Sequence, residues 1–364
     1  MFSTITQWVS SHKAISSVIA AVLVVGVGTG IFMAANASAD VTTTSTEPST
    51  TTSSSTSMPT TSQSSEGPTT TLPSTISPIN GLPVTDPAQL ARRLLAVKID
   101  NHPNARPHSG INHADMVFEI KVEGITRFLT LWMQSDSEFL GPVRSGRPTD
   151  ATLLSALNKP TFAISGAQGW VQNMITSLDI NLLTETTPAM FRVGFRSAPH
   201  NLYTTTDGLR ADADARQYED EPPSGPIWEF GPMPADAPAA ASVAMSFQGT
   251  NTLWTWDEAT WLRTTDGRES NWRDEDGTEG RIGFPVLIAL FSEQYSNNGL
   301  PSSHTTGTGQ AYVFADGKYI EGTWERATED EWYTLTDTEG NPIAVPPGQA
   351  WVSLVPTGAA FEIE

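Results

Sequence analysis

Residues 115–147, DMVFEIKVEGITRFLTLWMQSDSEFLGPVRSGR, carry the pattern that decides the fold of this chain. Two apolar runs, at 116–120 and 128–133, are rich in β-branched and aromatic residues, which is typical of neighbouring β-strands. Polar segments at 122–127 and 141–147 follow the two runs and place three arginines at strand ends and turns. Scaffolds often carry their binding groups on such loops, so we expect this stretch to hold the functional site.

The segments around this stretch alternate between strand and helix patterns. The apolar run 94–99 predicts a buried strand, and the Pro-, Asn- and Gly-rich run 100–110 predicts a loop. Further patterns predict a helix over 149–157 capped by Thr149 or Asp150, a strand over 161–165, and helices over 168–178 and 206–217. Gly166, between strand and helix, could present backbone N–H groups to an anion. The alternation predicts a mixed α/β or α+β domain over residues 79–230.

Beyond a Pro- and Ala-rich segment at 231–241, which marks a boundary, the pattern consists of strands. The predicted strands cover residues 254–264, 285–291, 311–314, 318–326 and 351–355. Asp-Gly or Glu-Gly turn signals lie between several of them. The sequence therefore predicts a smaller, mainly β C-terminal domain over residues 242–364.

The N-terminal 78 residues have the composition of a membrane-targeting segment and a stalk. Residues 14–33 contain no charged side chain and are long enough to span a bilayer. Ala-Ser-Ala before Asp40 matches a signal-peptidase site, so residues 1–39 are either an uncleaved signal anchor or a signal peptide cut between Ala39 and Asp40. Residues 40–78, rich in Ser, Thr and Pro, predict a disordered stalk. Either alternative places the remainder outside the cytoplasmic membrane, with the N-terminal helix as its only membrane contact.

Composition excludes several classes of function. The formal net charge of −20 argues against nucleic acid as a partner, because its binding depends on clustered Lys and Arg. The chain contains no cysteine, which excludes disulfides, thiolate metal sites, a Cys nucleophile and lipid attachment to an N-terminal Cys.

The candidate ligand-binding group is a set of arginines and their polar neighbours. Its members are Arg106, Arg127, Arg144, Arg147, Asn101 and Ser145. Converging guanidinium groups would bind a carboxylate or a phosphate bidentately. The alternative is that Asp115, Glu119 and Glu123 pair with the arginines and only order the turns, since buried charges are normally paired.

Catalytic and metal-binding patterns are weaker. Asp100 or Glu123 could act as a general base, and a Ser–His–Asp triad could combine Ser109 or Ser145 with His200 and Asp100, although neither serine lies in a Gly-x-Ser-x-Gly motif. The spacing of His102, His108 and His113 matches no standard zinc pattern. We therefore predict no metal and no cofactor.

Several motifs carry a resemblance to a known family. They are Val97-Lys98-Ile99-Asp100-Asn101, Ala105-Arg106-Pro107-His108-Ser109-Gly110, Val122-Glu123-Gly124-Ile125-Thr126-Arg127, Gly141-Pro142-Val143-Arg144-Ser145-Gly146-Arg147, Thr323-Trp324-Glu325-Arg326 and Pro347-Gly348-Gln349-Ala350-Trp351-Val352. From about Gly81 to its end the chain resembles the YerB-like family of bacterial envelope proteins, domain of unknown function 3048, in its N-terminal and C-terminal parts. The resemblance implies an exported protein, often a lipoprotein, with no agreed activity, and it supplies no catalytic residues.

Together these patterns predict a non-enzymatic, extracytoplasmic protein of the cell envelope. It would bind an anionic envelope ligand or a partner protein through the arginine group. The alternative is a hydrolase or transferase acting on the cell wall, with Glu123 or Asp100 as general base.

Overall fold

A computed structural model of the protein describes residues 75–364. The predicted signal peptide or anchor and the stalk up to residue 74 lie outside the described residues. Among the residues that are described, no helix is long and apolar enough to cross a membrane.

The part of the chain up to residue 230 alternates strands with helices. The strands are β1 Leu95–Ile99, β2 Met116–Lys121, β3 Thr126–Trp132, β4 Thr161–Ala163, β5 Asn181–Leu183, β6 Phe191–Arg192 and β7 Leu202–Tyr203. The α-helices are α1 Pro148–Leu154, α2 Gly169–Ser177 and α3 Thr206–Ala215, and short 3-10 helices cover Pro87–Ala91, Pro103–Ala105, Ile111–His113 and Ser155–Leu157. This part is the mixed α/β unit that the sequence predicts.

The part after residue 241 is built from strands. They are β8 Ser242–Ser246, β9 Asn251–Asp257, β10 Thr260–Thr265, β11 Arg268–Glu269, β12 Asn271–Arg273, β13 Glu279–Arg281, β14 Gly283–Phe284, β15 Val286–Ser292, β16 Gln294–Asn297, β17 Leu300–Ser303, β18 Gly307–Ala315, β19 Lys318–Arg326, β20 Thr334–Asp337, β21 Ala350–Pro356 and β22 Phe361–Ile363. This part matches the predicted mainly β architecture.

Two local predictions were wrong. Helix α1 begins at Pro148 with Arg147 as the residue before it, and not at Thr149 or Asp150. Proline suits the first helical position because its missing N–H is not needed there. The predicted strand 254–264 is instead the hairpin of β9 and β10, which turns at Glu258 with φ of 52°. The turn sequence Glu-Ala lacks the Gly, Asn and Pro residues that mark turns in a sequence.

The two parts of the chain share one ten-stranded sheet. Its strand order is β20-β19-β18-β15-β21-β2-β3-β1-β4-β5. The two parts join where β2 and β21 pair in parallel, with Met116 opposite Ala350 and Ile120 opposite Leu354. The segment 231–241 therefore separates the two parts in sequence but does not divide the sheet.

The shared sheet is covered on both faces. Helices α1 and α2 contribute Leu154 and Val171 to one buried cluster, which also holds Phe118 of β2. On the opposite face Val117 joins a second cluster with Trp254. That residue belongs to a six-stranded sheet of β11, β10, β9, β8 and β22, with β14 paired to β10. Because β2 is buried on both faces, its sequence reads as a continuous apolar run.

Candidate functional site

The site predicted from sequence lies at one edge of the shared sheet. Strands β1 and β4 run parallel, as do β4 and β5, so their carboxyl ends meet at this edge. The backbone of 144–146 lies between the ends of β1 and β4. Arg144 N–H donates to the Lys98 carbonyl at 2.8 Å, and Gly146 N–H donates to the Gly166 carbonyl at 3.0 Å. Ligands of open α/β sheets commonly bind outside the carboxyl ends of the strands.

Three arginines gather around this crossing segment. Phe128 of β3 pairs with Ile99 of β1, which places Arg127 beside the end of β1. Arg127 Nη1 donates to the Ser145 carbonyl at 3.0 Å. Arg147 Nη1 donates to the Gly146 carbonyl at 2.9 Å and reaches the Ser145 carbonyl at 3.4 Å. The structure therefore brings together Arg127, Arg144 and Arg147.

Two of the three arginines have acidic partners. Arg147 donates to both oxygens of Glu123 at 2.9 Å, which is a bidentate pair. Arg144 Nε lies 3.3 Å from Asp100 Oδ2. Arg127 is only 6% exposed, yet it has no carboxylate within 4.0 Å in residues 75–364. Three guanidinium groups against two carboxylates leave one positive charge at this edge.

Burial shapes the ionisation of the group. Burial and then the charge of Arg147 lower the pKa of Arg127 to about 10, so its guanidinium stays charged at neutral pH. Beneath it, burial lowers the pKa of Lys98 to about 8, although its Nζ lies 2.6 Å from Asp150. Partial burial is the largest single influence on the pKa of Glu123 and opposes its ionisation. The hydrogen bonds from Arg147, a backbone hydrogen bond and the charges of Arg147 and Arg127 together outweigh it and hold the pKa of Glu123 below its usual range.

The turn between β4 and α2 adds backbone donors beside the arginines. Gly166 has φ of 139°, which favours glycine. No side chain caps the first turn of α2, and the N–H groups of residues 166–170 have no acceptor in the described part of the chain. The hydroxyls of Ser145 and Ser165 lie 3.3 Å apart next to this turn. Such a combination of helix N-terminus, hydroxyls and guanidinium groups suits an anion.

Asp100 is buried and fully engaged. Its Oδ2 lies 2.7 Å from His200 Nδ1, and its Oδ1 accepts the His102 backbone N–H at 3.0 Å. The two imidazole rings stack at 4.6 Å. The serines proposed for a triad are bonded elsewhere, because Ser109 donates to the Arg273 carbonyl and Ser145 pairs with Ser165.

Arg106 and Asn101 lie apart from the three arginines. Arg106 Nε donates to Asn101 Oδ1 at 3.0 Å. Asn101 donates to Thr126 at 2.8 Å, and Thr126 donates to the buried Glu119 at 2.7 Å. These two predicted ligand residues thus begin a chain of hydrogen bonds that leads into the interior.

That interior chain ends on an arginine that the sequence analysis missed. Arg263 Nη2 lies 2.6 Å from Glu119 Oε1, and both side chains are buried. Trp351 Nε1 donates to the other Glu119 oxygen at 3.1 Å. The alternation of side chains along β10 could have identified it, because Arg263 lies on the same inward face of this strand as Trp261 and Thr265.

The loop histidines do not converge on a common point. His108 is buried and its Nε2 donates to the Asp100 carbonyl at 2.8 Å, whereas His113 lies 3.9 Å from Asp274. Within residues 75–364, no three His, Asp or Glu side chains are placed to hold a metal ion.

Comparisons with known proteins identify relatives over most of the described region. Models of the protein of unknown function DUF3048 match its N-terminal domain at residues 79–219 and its C-terminal domain at residues 242–352. The protein named "Putative lipoprotein YerB" of Bacillus subtilis strain 168 is 28% identical over 296 residues, which cover 77% of this chain and 86% of the relative. The crystal structure of YerB from Bacillus subtilis shares the fold, with a TM-score of 0.68 and 24% identity over 79% of this chain and 99% of that chain. On these matches, the chain belongs to the DUF3048 family.

Proposed function

We propose that this protein binds an anionic ligand of the cell envelope at the carboxyl edge of β1 and β4. Arg127, Arg144 and Arg147 would contact the anion, with Ser145 and the turn at Gly166 completing the site. The apolar N-terminal span 14–33 would either anchor the chain in the membrane or direct its secretion as a signal peptide that is cleaved between Ala39 and Asp40. An envelope location agrees with the name of the relative YerB as a lipoprotein, although this chain has no cysteine to carry a lipid.

The observation that carries the proposal is the charge of Arg127. Its side chain is buried and lacks a carboxylate partner among residues 75–364. Buried charges are normally paired, so an unpaired guanidinium beside two further arginines indicates a position for a ligand anion. Envelope chemistry offers two suitable groups, the phosphates of teichoic acids and the carboxylates of peptidoglycan stem peptides.

The alternative, a cell-wall hydrolase or transferase, receives less support from the same contacts. A general base needs a carboxylate that is free to accept a proton from the substrate. Both oxygens of Glu123 are bound by Arg147, and Asp100 is held by His200, Arg144 and the His102 backbone. These contacts favour a positioning role for the two acids.

A thermal-shift titration tests the binding proposal directly. The purified protein is titrated with glycerol phosphate and, separately, with a muropeptide that carries free stem carboxylates. A ligand that binds the folded state raises the Tm in a dose-dependent way. In the Arg127→Met variant the ligand-induced shift should vanish. The free energy of unfolding without ligand should fall by no more than about 1 kcal/mol, because methionine removes an unpaired buried charge.

The Glu123→Gln variant provides the matched control. It removes the internal carboxylate that competes with the ligand for Arg147. The ion pair of Glu123 with Arg147 is partly exposed and contributes about 1 kcal/mol or less, so the affinity for the anion should rise by about 2- to 5-fold. Two results would contradict the proposal. One is a ligand shift of wild-type size in Arg127→Met. The other is a combination of two observations. The wild-type protein shows no ligand-induced shift in Tm, and the free energy of unfolding of Arg127→Met is several kcal/mol lower than that of the wild type.

A further inference from the structure

A cleft lies far along the shared sheet from the arginines, where β15 and β18 approach the edge strand β22. Its volume is about 500 Å³, within the range of small-molecule sites. The side chains that line it include Phe291, Glu293, Thr308, Gln310, Tyr312 and Phe361. None of these residues belongs to the group of arginines described above.

Three aromatic rings form one corner of the cleft. Phe361 packs against Tyr312 with ring centres 4.7 Å apart and against Phe291 at 5.1 Å. The Phe291 and Phe361 rings are inclined at 78°, so they form two walls that meet nearly at a right angle. Phe291 and Tyr312 are only 9% and 8% exposed, so the partly exposed Phe361 ring supplies most of the accessible apolar surface, which suits the C–H face of a flat, otherwise polar ligand.

Fixed polar groups stand beside the aromatic walls. Gln310 Nε2 donates to the Tyr312 hydroxyl at 2.6 Å and to Glu321 Oε1 at 3.0 Å. The Tyr312 hydroxyl lies 3.1 Å from the same Glu321 oxygen. Burial, followed by the bond to Glu321, raises the pKa of Tyr312 to about 12, so this hydroxyl keeps its proton at neutral pH. The amide oxygen of Gln310 and the carboxylate of Glu293 therefore remain available as acceptors.

The charge of the cleft selects among ligands. Glu293 lines it, Glu321 stands behind it, and no Lys or Arg is among its lining residues. An anion is disfavoured by this arrangement. Hydroxyl groups, in contrast, can donate to the acceptors of Gln310 and Glu293, and the Phe361 ring matches the apolar face of a pyranose ring. We propose that this cleft binds a neutral saccharide.

Saturation-transfer difference NMR on the purified protein tests this proposal. The probes are chitotriose and maltotriose as neutral saccharides and choline as a cation. A saccharide should receive saturation from the wild-type protein. Gln310 is exposed, so Gln310→Ala leaves the core intact and should weaken the binding of the saccharide about tenfold. Phe361→Leu, which keeps an apolar side chain but removes the ring, should weaken it as well.

Two control variants make the result specific. Gln248→Ala changes a surface glutamine outside the cleft and should bind the saccharide as the wild type does. Arg127→Met should also retain saccharide binding, which separates this site from the anion site. The proposal is overturned if neither saccharide receives saturation, or if Gln310→Ala and Phe361→Leu bind like the wild type. Saturation of choline alone would also overturn it, since the cleft would then be an ammonium site.

Discussion

At the scale of single residues, the buried ion pair between Glu119 and Arg263 links the two parts of the chain in the interior. Glu119 lies on β2 and Arg263 on β10, and neither side chain reaches solvent. The Arg263 guanidinium also lies 5.1 Å from the Trp351 ring centre and 5.2 Å from that of Phe128. The Glu119 carboxylate and the aromatic rings together stabilise the buried charge of Arg263. Removal of Glu119 or Arg263 therefore leaves the other charged group unpaired in an apolar interior.

Replacement of this arginine should therefore be costly. In Arg263→Met the Glu119 carboxylate stays buried without its cation, and the free energy of unfolding should fall by about 3–5 kcal/mol. Urea denaturation followed by tryptophan fluorescence measures the change. The double variant with Glu119→Gln should recover much of the loss, because the unpaired charge is gone. A single variant within 1 kcal/mol of wild type would show that the pair has no such role.

The residue types of the edge site and one acidic partner, Glu123, could be predicted from sequence, but the pairing of Asp100 with Arg144 could not. The motif at 141–147 marked Arg144 and Arg147 as candidates because two arginines flank a turn. Arg106 belongs to the same predicted group, yet it donates to Asn101 and lies 3.8 Å from Asp266, away from the three arginines. Which acid meets which arginine depends on the order of strands in the sheet, and nothing in local sequence encodes that order.

At the scale of elements, the loop after β1 is held in place by a buried histidine. His108 contacts the Asp100 carbonyl through Nε2 at 2.8 Å and packs edge-on against Phe128 at 5.2 Å. Burial lowers the pKa of His108 to about 3, and the charges of Arg106 and Arg263 act in the same direction. The folded protein thus keeps this imidazole neutral at a pH where an unfolded chain would protonate it.

This difference predicts a loss of stability in acid. The unfolded histidine titrates near pH 6.5 and the folded one near 3, so the unfolded state binds the extra proton between these values. The contribution is complete above pH 6.5 and is lost as the pH falls toward 3. At pH 5 the loss should be about 2 kcal/mol relative to pH 7.5. Urea titrations at both pH values measure the free energy of unfolding. The difference between the two values should be smaller in His108→Gln than in the wild type. Equal differences in the two proteins would contradict the assignment.

Element types follow from local pattern more closely than element pairing does. The apolar run 116–120 and the β-branched run 128–133 correspond to β2 and β3, since alternation and side-chain shape act within a few residues. The parallel pairing of β2 with β21 joins residues more than two hundred positions apart. Such a contact is decided by the packing of the whole sheet, and no local sequence pattern predicts it.

At the scale of the whole molecule, the shared sheet couples the two family domains. All described residues fall within one compact unit. The face of β2 and β3 that carries Val117 and Phe128 is covered by the six-stranded sheet of the later part. The edge of β2 is hydrogen-bonded to β21 along five residue pairs. Each part would therefore expose apolar surface and unpaired backbone groups if it stood alone.

Cooperative unfolding is the expected consequence. The three α-helices lie between residues 148 and 215, so far-ultraviolet circular dichroism reports on the earlier part. Four of the six tryptophans that are buried in the described residues, Trp254, Trp261, Trp324 and Trp351, lie in the later part, so tryptophan fluorescence reports mainly on that part. The two signals should change at the same urea concentration, as expected when no intermediate accumulates. A fragment of residues 75–230 should be unfolded and sensitive to protease, because it lacks β21, the covering sheet and the Arg263 partner of Glu119. Two separate transitions, or a protease-resistant fragment, would instead show that the domains fold independently and that the β2–β21 pairing is only a docking contact.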